Sequence, residues 1–202
     1  MNDMSLRGGQ RPTKQSVFKT RLPRRQKTAA RNDEKEYFMK KLTHLDRNGR
    51  ARMVDVGGKE PTHRHAIAAC EIKMNPKTLQ LLRAGKIKKG DAFTVAKIAG
   101  ILAVKKTAEL IPLCHPLPLE QIEIYFTDLL SGRGVKIQAE VKTTAKTGVE
   151  IEALHGAMMA ALTLYDMAKS YDPAMVITDV KLIKKTGGKH DYSFKSRNSH
   201  GK

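Results

Sequence analysis

The sequence predicts an α+β fold, a four-stranded antiparallel sheet with helices packed on one face. Three observations predict it. Runs that alternate apolar and polar residues, such as Val135, Ile137, Ala139 and Val141, read as half-buried strands. Two longer segments, about Ala92 to Glu109 and Thr147 to Lys169, are rich in Ala and Leu and too long for strands, and read as helices. The resulting order of strand, two helices, strand, strand, helix, strand is the ferredoxin-like split βαβ signature. That architecture carries no chemistry of its own.

Taken in order, Leu42 to Gly58 holds a turn at Asn48-Gly49 and a short strand-like piece, Met53-Val54-Asp55-Val56. From His63 the pattern is strand, with Ala66, Ala68, Cys70 and Ile72 on one face. Asn75-Pro76 opens a helix that runs through Leu79 and Leu82 to Gly85, Asn at the N-cap and Pro at the first position. Asp91 caps the next helix, which is apolar on most sides until Lys105 and is expected to be buried at its start. Lys88, Lys89 and Gly90 sit just ahead of its N-terminus, where a bound anion or a solvated lysine loop fits equally well.

Three prolines between Pro112 and Pro118 make a stiff connection that holds Cys114-His115. A fixed histidine for hydrogen bonding or proton transfer suits this better than a zinc site, because no second Cys-rich pair completes one. Ile122, Ile124 and Phe126 alternate, then Val135 to Val141; Ser131-Gly132-Arg133-Gly134 turns between them, giving an antiparallel hairpin. The last strand spans about Val176 to Lys184 with Val176, Val180 and Leu182 on one face. Gly187-Gly188, flanked by lysines, lets backbone come close to a phosphate. Residues 192–202 read as a flexible polar tail.

The long helix organises the rest. Glu152, His155, Met159, Leu162, Asp166 and Lys169 follow at spacings of three and four and share a face. An acid and a histidine stand at one end, an acid–base pair at the other. A solvated salt bridge is the plain reading of Asp166 and Lys169 alone.

Net charge is +18, which points to phosphate, nucleic acid or an acidic surface as partner. Residues 1–41 hold twelve Lys/Arg against four Asp/Glu, so +8 lies there and +10 on residues 42–202. The first 41 residues read as a disordered basic extension, a mitochondrial targeting segment, an RNA-binding arm or a linker from a larger fusion. The compartment is accordingly cytoplasmic, or the mitochondrial matrix if the extension targets. No run approaches the roughly 18 apolar residues that span a bilayer, so no membrane partner is expected. Two cysteines, Cys70 and Cys114, build no disulfide scaffold. A basic RNA-binding module is the rival class, but the body lacks the aromatic residues that stack single strands, so nucleic acid is not the expected partner. A catalytically silent scaffold subunit is a second rival.

Four segments carry a resemblance: MVDVGGK (53–59), KKGDAFTVAKIAGILAVKKTAELIPLCHPL (88–117), KTGVEIEALHGAMMAALTLYDMAK (146–169) and KLIKKTGGK (181–189). Together they resemble the cyclic pyranopterin monophosphate synthase family, the MoaC-type enzymes of molybdenum cofactor biosynthesis, over about Leu42 to Asp191. Ile151 stands where many relatives have Met, and Ala168 where many have Cys. His155 falls where relatives carry small residues or Thr, and takes no catalytic role on family grounds. The resemblance implies a phosphorus–oxygen lyase that turns 3′,8-cyclo-7,8-dihydro-GTP into cyclic pyranopterin monophosphate and pyrophosphate, downstream of a radical GTP cyclase. It implies a homohexamer, a trimer of dimers with sites at a subunit interface. No metal site or cofactor of the protein's own is implied; Mg²⁺ would enter only with the triphosphate.

By resemblance Asp166 is the catalytic aspartate, with Lys169 and Lys89 beside it. Rearranging nitrogen rings needs an acid–base set, and a lysine among other cations can have its pKa lowered toward neutrality. Leu113, Cys114 and His115 match the substrate-binding loop, and Glu150, Ile151 and Glu152 the acidic stretch that can hold a guanine-like edge. Lys185 and Lys189 are the phosphate candidates, and Asp55 a further one. Glu152 and Asp166 stand fourteen residues apart on one helix, about 21 Å along its axis. Either they grip opposite ends of an extended nucleotide, or one site takes Glu152 from one subunit and Asp166 from another. The second arrangement is the expected one.

Overall fold

The structure, a computed structural model, describes Leu45 and residues 48–195. The extension expected over residues 1–41 lies outside the described residues. The chain divides into two compact units at Arg50 and Ala51. In the first, the expected Asn48-Gly49 turn is present, with Gly49 at φ 77°. The second carries β1 (Thr62–Lys73), α1 (Pro76–Arg83), α2 (Ala92–Lys105), α3 (Thr107–Leu110), β2 (Leu119–Asp128), β3 (Gly134–Ala145), α4 (Glu150–Ala168), β4 (Val176–Thr186) and β5 (Tyr192–Ser193). The fold is α+β, and its antiparallel sheet runs β2-β3-β1-β4-β5.

The alternation read from the sequence sets the core. Ala66, Ala68, Cys70 and Ile72 of β1 pair with Val141, Ala139, Ile137 and Val135 of β3, and all eight are buried. Helix α4 lies on this face: the Cys70 thiol reaches the Ala157 carbonyl at 3.3 Å. Its Ala153, Ala157, Ala160, Ala161 and Leu164 are fully buried. α2 and α4 pack so closely that a Cβ on Gly156 would meet Val104 at 2.5 Å and one on Gly100 the Gly156 carbonyl at 2.9 Å. Small side chains thus fix the distance between the helices.

Several expectations are corrected. The sheet has five strands where four were expected. Tyr192–Ser193, placed in the flexible tail by its polarity, pairs with Lys184 and Lys185, and Phe194 N–H donates to the Ile183 carbonyl at 2.8 Å. Bonding to the open edge of β4 orders this stretch, a tertiary effect with no apolar signature. Met53–Val56 forms no strand; its backbone serves side chains of the site instead. The helix expected from 92 to 109 breaks at Lys106, φ −103° and ψ 8°, where the Thr107 hydroxyl bonds back to the Ala103 carbonyl at 3.1 Å. Ala92 and Ala96 of α2 are buried as expected, but Val95, Ile98 and Leu102 are exposed.

In β4, Val176 and Val180 do not share the face of Leu182. The pairing with β1 shifts twice: Glu71 opposes Thr178 and Ala69 opposes Lys181, then Ala68 opposes Leu182 and Ile67 opposes Lys184. Each shift inserts one residue, the first beside Asp179 at φ 54°. One bulge flips the side-chain parity and the second restores it. Ile177 and Leu182 therefore meet the core, Val176 and Val180 are exposed, and Lys185 lands opposite Ala66 on the helix-bearing face.

Candidate active site

Helix α4 carries charged groups at both ends. At its C-terminal end Asp166 and Lys169 lie one turn apart, and the Lys169 ammonium sits 2.8 Å from Asp166 Oδ1. Lys89 arrives from the turn before α2. There Ile87 is buried as an anchor, Gly90 takes φ 94°, and Asp91 caps α2 by accepting from the Phe93 and Thr94 amides. The Lys89 ammonium donates to Asp166 Oδ2 at 2.8 Å and to the Asp166 carbonyl at 2.9 Å. Bonds from Lys169 and then Lys89 hold the Asp166 carboxyl down at about 2. The same bond raises Lys169. The expectation of a lysine tuned toward neutrality fails for Lys169: the side chain is exposed and its partner carboxylate favours the charged form. Of the two readings of residues 88–90, the lysine loop is favoured over a bound anion, since Asp91 Oδ1 already accepts from the Phe93 and Thr94 amides.

The N-terminal end of α4 is different. Glu150 Oε1 accepts from the Lys185 ammonium at 2.9 Å. Glu152, in the first turn of the helix, is 4% exposed. Burial pushes its carboxyl up to about 7, and the neighbouring Glu150 charge adds to this. Cys114 stands near enough that burial and then the Glu152 charge raise its thiol. The His115 Nε2 lies 2.8 Å from the Val54 carbonyl. A carbonyl only accepts, so Nε2 carries a proton and donates to it. The proline-rich connection is pinned at its far end by Thr143, whose hydroxyl donates to the Pro118 carbonyl at 2.5 Å. Leu113 is half-buried on this loop, and Ile151 is exposed at 41%.

Beside this end lies a cavity of about 470 Å³ whose lining includes Lys59, Arg64, Lys146, Lys185, Lys189, Glu60 and Glu150. Five cations against two carboxylates suit a polyanion. The bulges of β4 aim Lys185 into it. Gly187, at φ 86°, is also required by the packing against β1, since an added Cβ would collide with the His63 carbonyl. Its neighbour Gly188 lines the cavity.

The structure thus gathers Asp166, Lys169 and Lys89 at one end of α4. It gathers Glu150, Lys185 and Lys189 around the cavity, with Glu152 and Cys114 close by, at the other. It does not bring the two sets together within one chain. Asp55 shapes its own turn, accepting from the Gly57 amide at 2.8 Å, and is not part of the cavity lining. The sequence reading missed Lys59, Lys146 and Arg64. The first two lie inside quoted segments, and Lys146 bonds the Gly57 carbonyl at 2.6 Å. Arg64 has no signal in the strand pattern; its guanidinium reaches the Ala145 and Lys146 carbonyls at 3.3 and 3.4 Å. Among the described residues no group of three His, Cys, Asp or Glu comes together to hold a metal ion.

The model of the MoaC family matches residues 53–188. A cyclic pyranopterin monophosphate synthase of Pelotomaculum thermopropionicum is 54% identical over 151 residues, covering 75% of this chain and 89% of that protein. Proteins of the same name from a Nostoc species and from Dinoroseobacter shibae are 53% and 51% identical, covering 73% and 75% of this chain and 88% and 96% of their own. The chain belongs to the MoaC family. The matched span takes in every candidate residue except Lys189, one position beyond its end. It also stops short of β5, so the strand that completes the sheet is outside what the family model covers.

Proposed function

We propose that this chain is a cyclic pyranopterin monophosphate synthase of molybdenum cofactor biosynthesis. It converts 3′,8-cyclo-7,8-dihydro-GTP into cyclic pyranopterin monophosphate and pyrophosphate. Roughly half-identity to curated synthases over three quarters of the chain carries this reading. The charged groups suit the task. The basic cavity takes the triphosphate, with any Mg²⁺ entering alongside it, and Glu150 and the Leu113–His115 loop meet the purine. Asp166 stays ionised at all ordinary pH values, while Glu152 holds a proton near neutrality. Two carboxyls pushed in opposite directions make an acceptor and a donor. Phosphate oxygens would also compete for Lys89 and Lys169 and so release Asp166 as the nucleotide settles.

Both carboxyls meet one compact reacting centre only if a second copy closes the roughly 21 Å between them. The exposed apolar residues Val95, Ile98 and Leu102 of α2 and Met158 and Leu162 of α4 lie between the two ends of α4 in sequence or pack beside it, and burying them would favour such an assembly. A trimer of dimers on a four-stranded ferredoxin-like sheet, with β5 appended, is the assembly and fold we favour. Incubation with the cyclised dihydro-GTP should release pyrophosphate and yield a product that oxidises to a fluorescent pterin. Mixing Asp166→Ala with Glu152→Ala subunits should restore part of the activity; no rescue would sink the shared site.

A further inference from the structure

The turn that follows α4 holds more than Lys169. Its backbone is fixed at several points: the buried Asp172 carboxylate accepts from the Asn75 amide at 2.7 Å and the Ala174 amide at 3.3 Å, and the Tyr165 hydroxyl donates to the Pro173 carbonyl at 3.1 Å. Tyr171 projects from this braced turn. Its hydroxyl accepts the Lys88 backbone N–H at 3.1 Å, across 83 residues of sequence. The next residue is Lys89, whose ammonium makes two bonds to Asp166.

We propose that Tyr171 is a positioning residue, which clamps the lysine turn ahead of α2 so that Lys89 reaches Asp166. A lysine side chain has four rotatable bonds and costs entropy to hold in one place. Lys89 is also exposed, so its own bonds to Asp166 are weakened by water. Fixing the backbone one residue earlier narrows the region the ammonium can search. One short segment, residues 169–171, then sets both cations around the carboxylate: Lys169 through its own side chain and Lys89 through Tyr171. The proposal rests on Asp166 and Lys89 acting in the reaction.

Tyr171→Phe removes only the hydroxyl and tests this. Single-turnover rates on the cyclised dihydro-GTP should fall about threefold to tenfold, the usual range for one uncharged hydrogen bond, with KM and the thermal midpoint little changed. The Lys88 amide should exchange with solvent faster by a similar factor. Added to Lys89→Ala, Tyr171→Phe should lower the rate no further. An unchanged rate, an unchanged Lys88 exchange, or the same loss in the Lys89→Ala background would each overturn the clamp. Full turnover by Asp166→Asn and Lys89→Ala would instead overturn the reading of the site on which it rests, leaving the Lys88 exchange result intact as a structural fact.

Discussion

The two ends of α4 present the same functional group in opposite states. Asp166 is exposed and bonded by two ammonium groups, and its proton is lost at about 2. Glu152 is buried beside the Glu150 carboxylate, and keeps its proton to about 7. The helix dipole would favour an anion at the N-terminal end and disfavour one at the C-terminal end. The observed order is the reverse. Direct bonds and loss of water therefore outweigh the dipole, whose effect at exposed ends is about 0.3–1 kcal/mol. Local contacts, not the helix, assign the roles.

The strongest way to break this contrast is to neutralise its anionic end. Asp166→Asn should keep the fold, because the carboxylate is solvent-facing and the amide is the same size. Turnover should fall by roughly 10²–10⁴, the contribution of a positioned proton acceptor. Full turnover by Asp166→Asn would falsify the assignment. Glu152→Gln should cost less, about tenfold to a hundredfold at neutral pH, since the amide still donates a hydrogen bond. Its clearer mark is the pH profile. A protonated Glu152 is lost as pH rises through about 7, so the wild-type rate should decline there; the Gln variant should show no such decline. A smaller effect belongs to the cavity. Lys185→Ala removes one of five lining cations, and KM should rise about threefold to tenfold with kcat nearly kept, the range of one ordinary hydrogen bond at a water-exposed side chain.

Much of the fold that carries this contrast could be read from the residues, and the unread part has identifiable causes. The clean alternation of β3 and the Ala-rich interior of α4 gave strand and helix because each element meets one face of the core. β4 hid its faces because two bulges change parity within one strand, and no single residue announces a bulge. β5 exists through backbone bonds to an edge, for which Tyr192 and Ser193 give no pattern. The break at Lys106 comes from a threonine bond to its own helix, which is common and usually harmless. Glu152 and Asp166 look alike in sequence. Their protonation depends on what the fold stacks over one and folds against the other, so spacing could place them on a helix but could not separate their chemistry. Arg64 entered the cavity for a similar reason: its neighbours there, Lys146 and Lys185, come from other strands and loops.

The finest test of the contrast is stability against pH, where the two carboxyls act in separate windows. Glu152 has a folded value of about 7 against an ordinary 4.5. Between these values the folded protein holds a proton that the unfolded chain has released. Stability is therefore greatest below about 4.5 with respect to this group and falls as pH rises toward 7, by about 1 kcal/mol from pH 5 to 6. Glu152→Gln should flatten the curve over that interval. Asp166 titrates in the folded protein at about 2 against an ordinary 3.8, so its contribution is complete above 3.8 and disappears as pH falls through 2. Asp166→Asn should then run parallel to the wild type from pH 5 to 7 and converge on it only in acid. Urea melts of the three proteins at half-unit pH steps decide this. A wild-type curve with no slope between pH 5 and 7 beyond that of Glu152→Gln would mean that water reaches Glu152, and the difference between the two ends of α4 would shrink to one ion pair.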